Sequence, residues 1–190
     1  MEELRRFIGL IDGLELSTFD PAQKEEPAQP PAGLRFWDDV LREVDDAFAA
    51  PLHALKTVFQ WSTFYKESDW SRPFFANFAA GKIVGPGCVV QSDDLIIGVV
   101  LMGPHTFYPA HAPPAVEVYT ALAGKPHFRA DGGTWRVLED GAFAFHPADM
   151  PHTMKTDERP MLALYAWRGD ITAPSYGWEE GRKVYPPKVQ

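Results

Sequence analysis

Cys88 is the only thiol in this 190-residue chain. A lone cysteine excludes an intrachain disulfide and fits a reducing compartment. Basic residues are scarce as well: 18 Lys and Arg stand against 26 Asp and Glu, a net charge of −8. Tracking a phosphate backbone needs concentrated Lys and Arg, so nucleic acid is not an expected partner. Long apolar runs are missing. The longest, Leu95 to Met102, suits a buried strand and is too short to span a bilayer, so no membrane partner is expected either. The first residues, MEELRRFIGLIDGLEL, lack the basic start, long apolar core and small-residue cleavage site of a secretory signal. A cytoplasmic protein is the expectation.

What the chain does have divides it in two. Residues 1–70 read as a helical segment with a flexible linker near 20–33, and residues 71–190 as a β-domain. Leu4, Phe7, Ile8 and Ile11 recur at helical spacing. A Pro/Gln/Glu/Ala stretch then runs to Gly33 with too little apolar content to pack. From Phe36 to Ala49, Trp37, Val40, Leu41, Val44 and Phe48 form one stripe, which predicts a single amphipathic helix. A second helix is predicted over residues 52–65. Trp37, Phe48, Phe59, Trp61 and Phe64 read as packing between helices and β-domain. Beyond Pro73, strand-length apolar runs alternate with Gly, Pro and Asp clusters. Strands are predicted over 81–90, 95–102, 115–122, 135–138, 142–146 and 161–167, with a hairpin turn at Asp131-Gly132-Gly133. This spacing predicts an antiparallel sandwich or barrel. The tail from Pro174 reads as an irregular arm that packs on the barrel or covers an opening.

The chemistry concentrates in His111-Ala-Pro113-Pro114-Ala-Val-Glu117-Val-Tyr119 and in Gly141…Pro147-Ala-Asp149-Met-Pro151-His152. Imidazole and carboxylate are ligands for Zn, Fe, Mn, Co or Ni, and the residues alone leave the choice among these divalent metals open. Glu117 sits inside an apolar run, and a buried carboxylate needs a partner. His111 reads as a ligand or as a residue touching whatever binds there. His105 and His146 sit at a turn and a strand end, as weaker substitutes. His53 and His127 read as surface or packing residues, and Cys88 as a small apolar core residue.

These spacings resemble the two motifs of the cupin superfamily. His111, Pro113, Glu117 and Gly124 fall on the first, with proline in place of its second histidine. Gly141, Pro147, Asp149 and His152 fall on the second, with aspartate in place of its inner glycine. The resemblance implies a mainly β fold, a single cupin β-barrel of jelly-roll type with N-terminal α-helices. Tyr108-Pro-Ala-His111, Glu117-Val-Tyr119 and Leu122-Ala-Gly124 more narrowly resemble the short, single-cupin bacterial dimethylsulfoniopropionate (DMSP) lyases. That resemblance implies metal ligation by His111, Glu117 and His152, and catalytic roles for Tyr119, as base or ligand, and for Tyr108 in the pocket wall. It implies a small carboxylate substrate cleaved to dimethyl sulfide and acrylate. The faces of Tyr108, Trp167 or Trp178 then suit a sulfonium by cation–π attraction. Pro113 supports an alternative of another class: a cupin with a degenerate metal site that binds a small ligand, or a cupin dioxygenase or isomerase. Exposed strand edges make a homodimer a further expectation.

Overall fold

A computed structural model describes residues 2–14, 29–63 and 72–172, and the backbone of 176–179 and 182–184. Successive residues along the central strands serve opposite cores, which accounts for their unbroken apolar runs. In β2 (Phe78–Val84), Ala79 faces outward and Ala80 inward. In β3 (Leu95–Met102), Val99 and Leu101 face out while Val100 and Met102 face in. With β1 (Gln60–Ser62), β5 (Ala115–Ala123), β8 (Phe143–His146) and β10 (Met161–Gly169), these strands form one six-stranded sheet in the order β1-β2-β3-β10-β5-β8. The second sheet has the order β12-β11-β4-β9-β6-β7. It is built from β4 (Phe107–Ala112), β6 (His127–Ala130), β7 (Arg136–Val137), β9 (His152–Lys155), β11 (Tyr176–Glu179) and β12 (Arg182–Val184). All ladders between these strands are antiparallel. The inner faces enclose an aromatic core that includes Phe78, Tyr108, Tyr119, Phe128 and Tyr165.

Helices cover the outer face of the first sheet. The helix α1 (Glu2–Asp12) forms as expected, with Phe7 buried against Val84 and Leu95 and Glu3 paired to Arg168 of β10. Leu4, Ile8 and Ile11 of its stripe remain partly exposed. The single helix expected over 36–49 does not form. A 3-10 turn, Ala32–Phe36, leads into α2 (Trp37–Leu41). The chain then breaks, and α3 (Asp46–Leu55) starts anew. Asp45 causes the restart: its backbone is extended (ψ 137°) and its carboxylate accepts from the Ala47 N–H at 2.9 Å, an N-cap. The break shifts the helical phase, which carries Phe48 out of the stripe to 48% exposure. The helix expected over 52–65 is also corrected. α3 ends at Leu55 and the next element is strand β1; Phe64 and Tyr65 lie outside the described residues. The expected aromatic packing holds for Trp37, Phe59 and Trp61, whose ring centroids lie 5.2–6.2 Å apart. Gly33 presses on β2, where an added Cβ would come within 2.5 Å of the Phe78 carbonyl carbon.

Other boundaries move for local reasons. The strand expected over 81–90 is β2 followed by a turn, in which Gly85 and Gly87 take φ of 138° and 72° and Val90 folds back beside Val84. Asp131 and Gly132, with φ of 48° and 67°, do turn the chain between β6 and β7. Within the tail expected to be an irregular arm, the described backbone forms two strands instead: β11 pairs with β12 and packs on the second sheet by pairing with β4, where Gly177 lies opposite His111. Side chains beyond Thr172, including Trp178, lie outside the described residues. Cys88 is buried, as expected of a small core residue. No helix among the described residues is long and apolar enough to cross a membrane.

Candidate metal centre

The Pro113-Pro114 turn separates β4 from β5, so each strand sets its own facing. On β5 the alternation buries Ala115, Glu117, Tyr119 and Ala121 inside the barrel. His111 is the penultimate residue of β4 and His152 opens β9, and these two residues are cross-strand partners. The ligand atoms of His111, Glu117 and His152 all lie within 4.8 Å of one another. Their three side chains are buried, Glu117 completely (0% exposed).

Backbone carbonyls fix the imidazoles. His111 Nδ1 lies 3.0 Å from the Pro109 carbonyl and His152 Nδ1 lies 3.0 Å from the Met150 carbonyl. A carbonyl only accepts, so each Nδ1 carries the proton, and in the neutral ring Nε2 offers a lone pair. Glu117 is held from the other side, where the Trp167 indole N–H donates to Oε1 at 2.6 Å. Its Oε2 then lies 3.0 Å from His152 Nε2. Two acceptors at that distance repel unless a positive charge sits between them. His111 Nε2, Glu117 Oε2 and His152 Nε2 are all buried without a hydrogen-bond partner. Leaving such atoms unmatched is expensive. A divalent ion bound at about 2.0–2.2 Å from each would satisfy all three, so the donor set fits a metal.

The protonation states agree. Burial alone would raise the Glu117 carboxyl, but the surrounding imidazoles more than offset it and bring it to about 2. Burial holds His111 well below the ordinary 6.5, with His152 adding to the effect. Burial, again helped by His152, brings His146 down to about 3. At neutral pH Glu117 is therefore ionised while His111 and His146 are neutral, the forms that bind metal.

The other candidate residues differ in how near they lie to this group. Tyr119 stands with its ring centroid 6.1 Å from that of His152. Tyr108 stacks on His111 at 4.0 Å and 10°, and so supports that ring. His105 is exposed in a turn with φ 52°, and His53 is exposed on α3. His127 pairs with Asp157 at 2.8 Å away from the cluster. His146 is the residue that the sequence undervalued. It is buried, its ring lies parallel over that of His152 (3.8 Å, 5°), and its Nδ1 lies 3.9 Å from Glu117 Oε2. Parallel rings hold their lone pairs in separate planes, so His146 walls the cluster without converging on it. The β5–β8 register that sets His146 opposite Glu117 was the signal that could have found it.

Pro113 has a structural place. Its carbonyl accepts from the Asp149 N–H, which ties the turn before β5 to the turn before β9. The motif glycine replaced by Asp149 was there for its backbone, since Asp149 has φ 60°. Gly124 is a stricter case: at φ 92°, a Cβ would fall 2.2 Å from the Pro160 carbonyl oxygen.

The sequence model of the dimethylsulfoniopropionate lyase family matches residues 16–163. The chain belongs to the dimethylsulfoniopropionate lyase family. One member, the dimethylsulfoniopropionate lyase DddQ of Ruegeria pomeroyi, is 36% identical over 180 residues, covering 94% of this chain and 87% of the relative. The crystal structure of DddQ from Ruegeria pomeroyi matches with a TM-score of 0.76 at 31% identity, over 91% of this chain and 86% of that one. A chain from the crystal structures of the DMSP lyases RdDddP and RnDddQII matches in fold, with a TM-score of 0.72 at 23% identity, over 94% and 90% of the two chains. The cupin fold expected from the motifs therefore stands. In this DMSP lyase family member a cleft of about 480 Å³ opens between β6–β7 and β8, with Phe128, Leu138 and Ala144 as walls, Arg136 at the rim and His146 on the floor.

Proposed function

We propose that the protein is a metal-dependent carbon–sulfur lyase that cleaves dimethylsulfoniopropionate to dimethyl sulfide and acrylate by β-elimination. Membership of the lyase family makes it an enzyme of this class. The observation that carries the metal dependence is the 3.0 Å approach of two buried acceptors, Glu117 Oε2 and His152 Nε2, beside the lone pair of His111. A divalent transition metal held by His111, Glu117 and His152 would bind the substrate carboxylate and stabilise the negative charge that develops at the adjacent carbon.

The chain's own residues supply the rest. Tyr119 is the proposed base. Its phenol is buried next to the ligand imidazoles, and a nearby cation favours its ionised form. It takes the proton from the carbon next to the carboxylate. That electron pair forms the new C=C bond as the C–S bond breaks, and sulfur leaves with its pair as neutral dimethyl sulfide. Tyr108 fixes the His111 ring and closes one wall. The faces of Tyr119, Tyr165 and Trp167 line the interior where a sulfonium would sit, each worth about 0.5–2 kcal/mol.

A homodimer stays part of this reading. β8 ends its sheet, and Phe143 and Phe145 on it are 60% and 45% exposed. Sedimentation at several concentrations tests it.

The experiment for the main reading is headspace detection of dimethyl sulfide from metal-loaded protein, with Tyr119→Phe beside it. The wild type is expected to release dimethyl sulfide and acrylate in equal amounts. The variant should keep its metal and lose roughly 10²–10⁴-fold in rate, the usual worth of a positioned base. Metal-loaded wild type that releases neither product would rule the assignment out and leave the small-ligand binding reading, which Pro113 favours.

A further inference from the structure

We propose that Trp167 is a positioning residue: its indole holds Glu117 as a one-oxygen ligand and so keeps coordination space open for the substrate carboxylate. The proposal rests on the metal-dependent reading above.

The register makes the contact. β10 pairs with β5 so that Trp167 lies directly opposite Glu117, and both side chains point into the barrel. The indole N–H can only donate, and it donates to Oε1 at 2.6 Å. The two carboxylate oxygens therefore differ in what they can do. Oε1 is turned to the wall and spoken for. Oε2 faces the imidazoles, 3.0 Å from His152 Nε2 and 3.9 Å from His146 Nδ1. A carboxylate without such a donor is free to bind an ion through both oxygens.

Denticity matters more than usual in this chain. Pro113 removes a side-chain ligand that the cupin motif supplies, which leaves a group of three donor residues among the described residues. Three donors leave at least one open position on a four-coordinate ion, as catalytic sites require. A second oxygen from Glu117 would fill that position and compete with the incoming substrate. A partner that orients a ligand in this way typically affects metal affinity by about 10–100-fold. Here the larger effect falls on the open position. It also redefines the indole, whose N–H belongs to Glu117.

The test uses cobalt(II)-loaded full-length protein, with acrylate as a probe ligand. Wild type, Trp167→Phe and Trp167→Gln are compared by cobalt affinity, by visible d–d absorption and by acrylate titration of that band. Trp167→Phe is expected to retain cobalt, to show a weaker d–d band as coordination number rises, and to bind acrylate at least tenfold more weakly. Trp167→Gln restores an N–H donor without the indole and should move both readouts back toward wild type. An unchanged band and unchanged acrylate affinity in Trp167→Phe would overturn the proposal. A second measurement does not depend on the folding of either variant. The infrared splitting of the Glu117 carboxylate stretches, assigned by difference against Glu117→Gln, should be wide in wild type, as for a monodentate ligand; a narrow, bidentate splitting overturns the proposal. Wild type that binds no cobalt at all would sink the metal-dependent reading itself, and the role of Trp167 with it.

Discussion

The backbone N–H of Asp149 donates to the carbonyl of Pro113 at 2.8 Å, so the two residues that depart from the cupin motifs hold each other. Their bond ties the turn that precedes Glu117 to the turn that precedes His152. Each departure is then tolerable for a backbone reason. Proline keeps its carbonyl, and aspartate is among the few side chains that accept a left-handed backbone.

Substitution at 149 should follow that backbone. Asp149→Ala places an ordinary side chain at φ 60° and is expected to lower stability by about 1–2 kcal/mol. Asp149→Gly relieves the strain and loses about 0.5–1 kcal/mol to unfolded-chain entropy, so it should stay within about 1 kcal/mol of wild type. Urea unfolding of the two variants measures the difference. Equal losses would show that the side chain of Asp149, not its φ, is what counts.

Metal should act as a folding ligand. At about a hundred times its dissociation constant, an ion that binds only the folded state adds about 2.7 kcal/mol, which for a chain of this size raises Tm by roughly 5–10 °C. Scanning calorimetry before and after exhaustive chelation checks this. The absence of any shift with added Zn, Fe, Mn, Co and Ni would count against His111, Glu117 and His152 as a metal site.

The four buried groups are expected to contribute unequally. His152→Gln should weaken metal binding by about a hundredfold or more, because it removes a converging lone pair. His146→Gln should change it by no more than about tenfold, since a ring stacked parallel on His152 lies outside the ligand planes. Isothermal titration of both variants decides. Equal losses would make His146 a ligand in solution.

The metal-free protein should lose stability as the pH falls below about 6.5. Unfolded histidines take up protons near 6.5, whereas buried His111 resists until well below that value and His146 until about 3. The unfolded state therefore binds more protons, and stability drops with pH by up to about 1.4 kcal/mol per unit for each group. Glu117 adds the same sign in a lower window, with stability present above its ordinary 4.5 and lost as the pH falls toward about 2. Urea unfolding of chelated protein between pH 7.5 and pH 5, roughly one unit above and 1.5 below the histidine reference, should show a falling free energy. A flat profile would mean that these imidazoles are not buried neutral.

Much of the candidate site was legible because its chemistry is local. His111, Glu117 and His152 lie at motif spacings, and alternation along β5 puts Glu117 and Tyr119 on one buried face. His146 and Trp167 were harder to assign. Each meets Glu117 only through strand register, on β8 and β10, and no spacing along the chain encodes a pairing between strands that far apart. The helices show a similar limit. The stripe from Trp37 to Phe48 was a true apolar pattern, but one capping carboxylate, Asp45, outweighed its continuity. Strands β4, β6 and β9 carry charged or proline residues and lacked the apolar runs that marked β3, β5 and β10.

The pairing of Gly177 with His111 gives the tail a protective duty. β4 lies between β9 and β11. A chain cut after Thr172 would expose the main-chain donors and acceptors of the strand that carries Tyr108 and His111. Such a bare edge is a template for another molecule's strand. Truncation is thus expected to turn a barrel wall into a seed for aggregation.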